Sequence, residues 1–563
     1  MRTPLRRLAA LAAPALLAGS CALAPTPPAP LELRLVAFND FHGHLQPPAL
    51  GWTVTETGAP GGHSRVAAGG VAHLATAVRT LRAGKPHSAV VAAGDLVSAS
   101  PLVSALFLDE PTVTALGDAG LEFSAPGNHE FDRGRDELQR LVTGGCHPKE
   151  GCFAGPYAGA RFGYLAANVF DTATGRTLFP PYAIRLYDGV PVAFVGAVLR
   201  STPTVVDRRG IRGLAFRDEA ASVNAVLPEL RRQGVEAIVL LLHEGGVAKG
   251  GFDDPACPGF EGAVLDILKR LDPAVDVVVS GHTHQVYRCR VDGRLVTSAG
   301  SYGRVVTTID LAIDRATRDV VAADARNHVV ATERFPADAA IAAHVERFAA
   351  LAEARSGRVV GTVRGEFTPV ANAAGESNLG ELVAEAQLAA MREAAGAQVA
   401  FTNPGGLRAP LAPRRPDGGV TYGDLFSVQP FGNTLVAVTL TGTQLLRLLE
   451  QQWRQAPDRT RILPVAGLTY TWDGARPLGR RVVPESVRIG GEPWVAERDY
   501  RVAVNSFLYG GGDGFTVFGE GRDPAGGPGD VEALERFIAA APRVAGLPAG
   551  RIRRADRPAG AAP

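Results

Sequence analysis

Five short segments of this 563-residue chain carry residue types that hold cations or move protons, and each follows an apolar run. Phe38 leads into Asn39-Asp40-Phe41-His42-Gly43-His44, and Ala92-Ala93 into Gly94-Asp95. Ser124-Ala125 precedes Gly127-Asn128-His129-Glu130-Phe131-Asp132, Leu241-Leu242 precedes His243-Glu244, and Val278-Val279 precedes Gly281-His282-Thr283-His284. Carboxylates and imidazoles together form a mixed oxygen and nitrogen donor set, which suits Mn²⁺, Fe²⁺, Co²⁺ or Zn²⁺ better than a thiolate site does. One Gly-Asp or Asp-x-His is more often turn chemistry than a site. Five such segments in succession, delivered to one rim, can hold two cations that share a carboxylate.

The elements that must position them are readable from the pattern. Apolar runs at 33–38, 89–93, 192–198, 237–242 and 275–279 alternate with amphipathic stretches such as 66–81 and 220–232. Continuous apolar runs between helices predict strands buried on both faces, as in a layered α/β domain. In open α/β sheets, ligands bind at the carboxyl ends of the strands, where these five segments fall. An Ala-rich helical stretch at 337–355, between Pro336 and Gly357, predicts a connection to a second half. That half mixes helices (378–394, 443–455) with strands (435–439, 500–504) and reads as α+β.

The order D-x-H, G-D, G-N-H-E, H, G-H-x-H resembles that of the calcineurin-like metallophosphoesterases. The second half adds Glu376-Ser377-Asn378-Leu379-Gly380, Asn403-Pro404-Gly405-Gly406-Leu407-Arg408, Gly423-Asp424 with Gln429-Pro430-Phe431-Gly432-Asn433, and Ser506-Phe507 through Gly510-Gly511-Gly512-Asp513-Gly514-Phe515. These resemble the C-terminal domain of the secreted 5′-nucleotidases, a family that includes bacterial UDP-sugar hydrolases. The resemblance runs from about Leu31 to Phe518.

The resemblance implies a layered α/β metallophosphoesterase domain, with β-sheets between helices, followed by an α+β nucleotide-binding domain. It implies two divalent metal ions (Mn, Mg, Co or Zn). Asp40, His42, Asp95 and His284 would surround one, and Asp95, Asn128, His243 and His282 the other. His129, oriented by Asp132, would act on the reacting phosphate, because a carboxylate partner orients an imidazole and favours its charged form. Phe431 and Phe507 would sandwich a nucleobase, Asn403 and Arg408 would contact the nucleotide, and Asp513 the ribose. Hydrolysis of nucleoside 5′-monophosphates is the implied reaction, with UDP-sugars or other nucleotide anhydrides as further substrates. One departure stands out: the family often carries an arginine shortly before the E-S-N-L-G segment, and residues 371–375 here contain no basic side chain.

The expected domain plan is a signal peptide at 1–20, a Pro-rich leader at 21–30 and a dimetal domain at 31–334. A linking helix at 335–358, a substrate-binding domain at 359–550 and a disordered tail at 551–563 complete it. A hinge is expected near Val359. The signal reading rests on Arg2, Arg6 and Arg7, an apolar stretch to Ala18, and Gly19-Ser20-Cys21. The last residues resemble a lipoprotein cleavage box, so a periplasmic or cell-surface protein anchored by lipid at Cys21 is expected. Four cysteines remain, Cys146, Cys152, Cys257 and Cys289, an even number with three possible pairings that suits an oxidising compartment. Lys plus Arg number 58 against 57 for Asp plus Glu. That balance argues against a nucleic-acid polymer as partner, since such binding needs a basic footprint.

Overall fold

The computed structural model describes residues 29–48, 51–55, 63–206, 210–250, 252–413, 415–453, 460–546 and 550–556. The signal segment, Cys21 and the last seven residues lie outside the described residues.

The first half is built on two six-stranded sheets. In one, Leu31–Phe38 lies between Val305–Ile313, antiparallel to it, and Ser88–Ala93, parallel to it. Phe123–Ala125 and Gly163–Tyr164 continue the parallel run. In the other, Ala237–His243 pairs in parallel with both Val190–Val198 and Val277–Ser280. Alternate residues of these strands point to opposite faces. Leu31, Leu33 and Leu35 therefore meet Phe194, Val239, Leu241 and Val279 between the sheets. Val36 and Phe38 face helix Val71–Arg82, while Val195, Leu240 and Val278 face helix Glu219–Arg232. Apolar residues at successive positions thus fill two cores, which explains the unbroken apolar runs. A fully buried Val, Leu, Ile or Phe contributes about 1.5–3 kcal/mol, so the strand ends, and the loops they carry, have rigid supports.

The amphipathic stretch expected at 66–81 begins later than expected. Val66 closes strand His63–Val66, and the helix starts at Val71. Gly69 and Gly70 stand at φ 95° and 83°, a conformation that interrupts any helix. The second-half helix expected at 443–455 occupies Gly442–Glu450 and then tightens into a 3₁₀ turn at Gln451–Trp453.

Helix Ala339–Ser356 is capped by Asp338, whose carboxylate accepts from the N–H groups of Ala340 and Ile341. Its Ile341, Val345, Phe348 and Ala352 are buried in the core of the first half, with Phe348 packed edge-on against Phe107. It connects the halves while docked on the first.

The second half contains a five-stranded sheet in which Thr434–Thr441 pairs antiparallel with Asp499–Asn505. Helix Asn378–Ala395 packs across it, started by the Ser377 hydroxyl on Gly380 N–H and ended by Gly396 at φ 69°. A four-stranded sheet completes this half. Residues 551–556 of the tail expected to be disordered are instead ordered: Ile552–Arg554 is a strand parallel to Leu468–Trp472. Ile552 is buried, its N–H donates to Glu376, and Arg551 and Arg554 pair with Glu385 and Asp556. A single apolar residue among charges gave no strand pattern, but those charges are satisfied locally. Cys146 is bridged to Cys152, and Cys257 to Cys289. No helix among the described residues is long and apolar enough to cross a membrane.

Candidate active site between the two halves

All seven candidate ligands from the first half converge on the rim where both sheets end. His42 Nε2 lies 3.1 Å from His284 Nε2 and 3.6 Å from Asp95 Oδ2. Asp40 Oδ1 is 3.4 Å from His284 Nε2, and Asp95 Oδ2 is 3.0 Å from His243 Nε2. Asp40, His42 and His284 form one cluster with metal-ligand spacing, and Asp95, His243 and His282 a second. His42, Asp95 and His129 form a third group that bridges them.

The backbone is bent to achieve this. Asp40, His42, Asp95, His282 and His284 all have positive φ, between 48° and 70°. Each left-handed non-glycine residue costs about 1–3 kcal/mol, and such residues persist only where neighbours hold them. Here the rim loops are laced together. Asp40 N–H donates to Gly94, His42 N–H to Asp95, and Tyr302 N–H to Asp40. His282 N–H donates to the Asp40 carboxylate. Gly127 permits the closest approach, because a Cβ there would lie 2.1 Å from Asp95 Oδ1.

The ring nitrogens are oriented for ligation. His42 Nδ1–H donates to the Ser98 carbonyl at 3.0 Å, and His243 Nδ1–H to that of Ala93 at 2.6 Å. Both arrangements leave Nε2 facing the cluster, the usual arrangement around a metal-ligating histidine. Asn128 Oδ1 is buried with no hydrogen-bond partner. Buried acceptors left in this state are expensive unless something positive reaches them. The donor set therefore fits divalent cations.

The titration behaviour agrees. Burial holds His42 well below the ordinary histidine range and brings His282 down to about 3, so both rings are neutral donors at physiological pH. Burial opposes charge on Asp95, yet His243 and His129 hold its carboxyl well below the carboxylate range. His243, also buried, is pushed up to about 10 by that carboxylate. Asp95 thus demands positive charge beside it, from a proton or a cation.

His129 Nδ1–H donates to Asp132 Oδ2 at 2.7 Å, and its backbone N–H donates to Asp95 Oδ1 at 2.9 Å. Against burial, Asp132 and Asp95 raise its pKa. The 3₁₀ turn His129–Phe131 sets this spacing of three.

Glu130 is a residue whose role the sequence reading missed. Buried, it folds back to accept from the backbone N–H groups of Asp95, Leu96 and Gly127, and from Tyr164 Oη. It thereby locks the Gly-Asp loop against the Gly-Asn-His-Glu loop, at a cost: burial and Asp95 push its carboxyl up to about 7. Its place inside the motif was the only signal. Glu130→Gln removes one acceptor from this knot and is expected to lower metal affinity or turnover about 10–100-fold. Metal content and kcat measured on one preparation check this.

The second half closes the site. A cavity of about 480 Å³ is lined by Asn128, His129, Asp132 and His282 on one side and by Asn403, Arg408, Phe431, Phe507 and Asp513 on the other. Phe431 stacks on His129, with centroids 5.8 Å apart and planes at 24°, and Arg408 lies 5.9 Å over Phe431. Phe507 is backed by Gly512, where a Cβ would lie 2.5 Å from the ring. Asn403 Oδ1 accepts from Asn505 Nδ2, and Asp513 pairs with Arg461. Both halves thus meet over His129.

Residues 33–286 match the family model described as calcineurin-like phosphoesterase, and residues 359–520 match that described as 5′-nucleotidase, C-terminal domain. The chain belongs to the 5′-nucleotidase family of calcineurin-like phosphoesterases. Cell wall protein Lmo0130 of Listeria monocytogenes is 31% identical to this family member, over 90% of its length and 67% of the Listeria protein. Endonuclease YhcR of Bacillus subtilis is 32% identical over 90% of the chain, which spans only 40% of YhcR. The crystal structure of a 5′-nucleotidase precursor from Thermus thermophilus superposes with a TM-score of 0.75 at 28% identity, covering 94% of this chain and all of that one. As a member of this family the chain is a phosphoesterase hydrolase, with the layered α/β and α+β halves expected of it.

Proposed function

We propose that this phosphoesterase is an exported enzyme that converts nucleoside 5′-monophosphates to nucleoside and phosphate, with UDP-sugars and other nucleotide anhydrides as further substrates. One juxtaposition carries the reading: the Asp/His cluster and the His129–Asp132 pair face Asn403, Arg408, Phe431, Phe507 and Asp513 across one cavity. Asp40, His42, Asp95 and His284 are assigned to one divalent cation, and Asp95, Asn128, His243 and His282 to a second, with Asp95 shared. When bound, such ions polarise a phosphoryl oxygen and make water nucleophilic at neutral pH.

The chain's own residues supply the remainder. Asp132 takes the Nδ1 proton of His129 in a hydrogen bond and so reserves Nε2 for the substrate. From there His129 stabilises the transferring phosphoryl group or protonates the leaving 5′-oxygen. Arg408 binds anionic oxygen. Phe431 and Phe507 offer ring faces, which accept any base because every base has a π-face. Asn403 adds hydrogen bonds to the nucleotide, and Asp513 accepts from ribose hydroxyls. We place the domain boundary and a hinge near Val359, where the docked helix ends. Export, with lipid attachment at Cys21, is supported by the leader-like first 20 residues and by similarity to a cell wall protein and a nucleotidase precursor.

The test strips the purified mature chain of metal, resupplies Mn²⁺, Mg²⁺, Co²⁺ or Zn²⁺ singly, and measures phosphate released from AMP. Release that requires metal supports the reading. Metal-dependent cleavage of other phosphoesters, with AMP and UDP-glucose both untouched, would sink it.

A further inference from the structure

Two guanidinium groups line the cavity among the described residues, and the reading above uses only Arg408. The turn at 371–375, which lacks the basic residue the family often carries, is closed by Gly375 N–H on Asn372 and is not part of the cavity wall. The second guanidinium is Arg133, which directly follows Asp132 and comes from the opposite half to Arg408.

Arg133 is held from behind. Its Nη1 donates to Asp109 Oδ2 at 2.5 Å. Asp109 is fully buried and also accepts from Ser98 N–H at 3.1 Å and Ser104 Oγ at 2.6 Å. A buried carboxylate without a cation is strongly destabilising, so the site fixes Arg133 as firmly as Arg133 neutralises the site. The arginine side chain nonetheless remains 26% exposed, and it lines the cavity. A guanidinium carries five N–H donors in a rigid fork. With one turned inward to Asp109, the fork is pre-oriented, so an anion arriving at the cavity meets donors whose side-chain entropy is already lost.

We propose that Arg133 is a substrate-binding residue that, with Arg408 on the facing wall, clamps the anionic phosphate group of the ester. The proposal rests on the phosphohydrolase reading but not on the identity of the base. It also gives the two halves a reason to close on substrate, because each contributes one guanidinium to the same charge.

Arg133→Gln is tested with p-nitrophenyl phosphate, which has no nucleobase, with inorganic phosphate as competitive inhibitor and with adenosine as a neutral one. A charge-assisted hydrogen bond accounts for about a tenfold change in affinity. KM for p-nitrophenyl phosphate and Ki for phosphate are therefore expected to rise together about tenfold, with Ki for adenosine unchanged. Unchanged KM and phosphate Ki would overturn the proposal, as would a parallel loss of adenosine binding, which marks a structural role. Arg133→Lys keeps the pair with Asp109 and guards against misfolding; it is expected to weaken phosphate about threefold, and full wild-type affinity would count against a forked contact. If AMP is not hydrolysed, the nucleotidase reading fails while these constants still decide the role of Arg133. If no ester is hydrolysed, calorimetric titration of inorganic phosphate into wild-type and variant protein decides it.

Discussion

Asp95→Asn is expected to lose activity by about 10³-fold or more, and to lose bound metal with it. Asp95 reaches both ligand clusters: it lies 3.0 Å from His243 and 3.6 Å from His42, with its other oxygen accepting the His129 backbone N–H. An amide at this position has almost the same shape but no charge. The stabilisation a cation gives to charge developing on phosphorus is worth several kcal/mol, and each 1.36 kcal/mol is a factor of ten. The substitution would also leave His243 buried without the anion that balances it, so the ring returns towards neutrality and the two clusters lose their shared centre. Metal per chain by plasma mass spectrometry, read beside kcat, checks this. A variant with full metal content and a rate within tenfold of wild type would show that Asp95 does not join the clusters.

Much of this site was legible because its chemistry restricts residue type. Asp, His and Asn at strand ends leave a pattern that survives in one sequence, and the strands before them are marked by uninterrupted apolar runs. What was not legible is how the backbone brings them together. Nothing in Asp40, His42, Asp95, His282 or His284 as residue types announces a left-handed φ; that conformation is imposed by loop-to-loop hydrogen bonds between segments up to about 260 positions apart. Glu130 looked like one letter of a motif, yet its carboxylate ties two loops together. Helix Ala339–Ser356 read as a spacer because its alanines blur the apolar stripe, although four of its residues enter the first core. The contact of Phe431 with His129 crosses some 300 residues and both halves, and a local pattern carries no such information. The same holds for Arg133, whose partner Asp109 lies outside every motif.

His129→Ala is expected to lower kcat about 10²–10⁴-fold, the usual range for a positioned proton donor, while leaving bound metal unchanged. Metal content is the deciding measurement, because the structure permits a second assignment: His129 also lies within ligand distance of His42 and Asp95. If it were a ligand, its loss would release metal and activity in proportion. The bond to Asp132 argues for proton chemistry, since that carboxylate raises the pKa of the ring against burial. A group that acts protonated loses function as pH rises through its pKa. Asp132→Asn removes the carboxylate that raises that pKa, so the alkaline limb of the kcat/KM profile should move to lower pH. A limb that stays in place in Asp132→Asn, together with metal lost in His129→Ala, would reassign His129 from proton donor to ligand. Retained metal with a shifted limb would instead tie the rate to the proton that Asp132 holds in place.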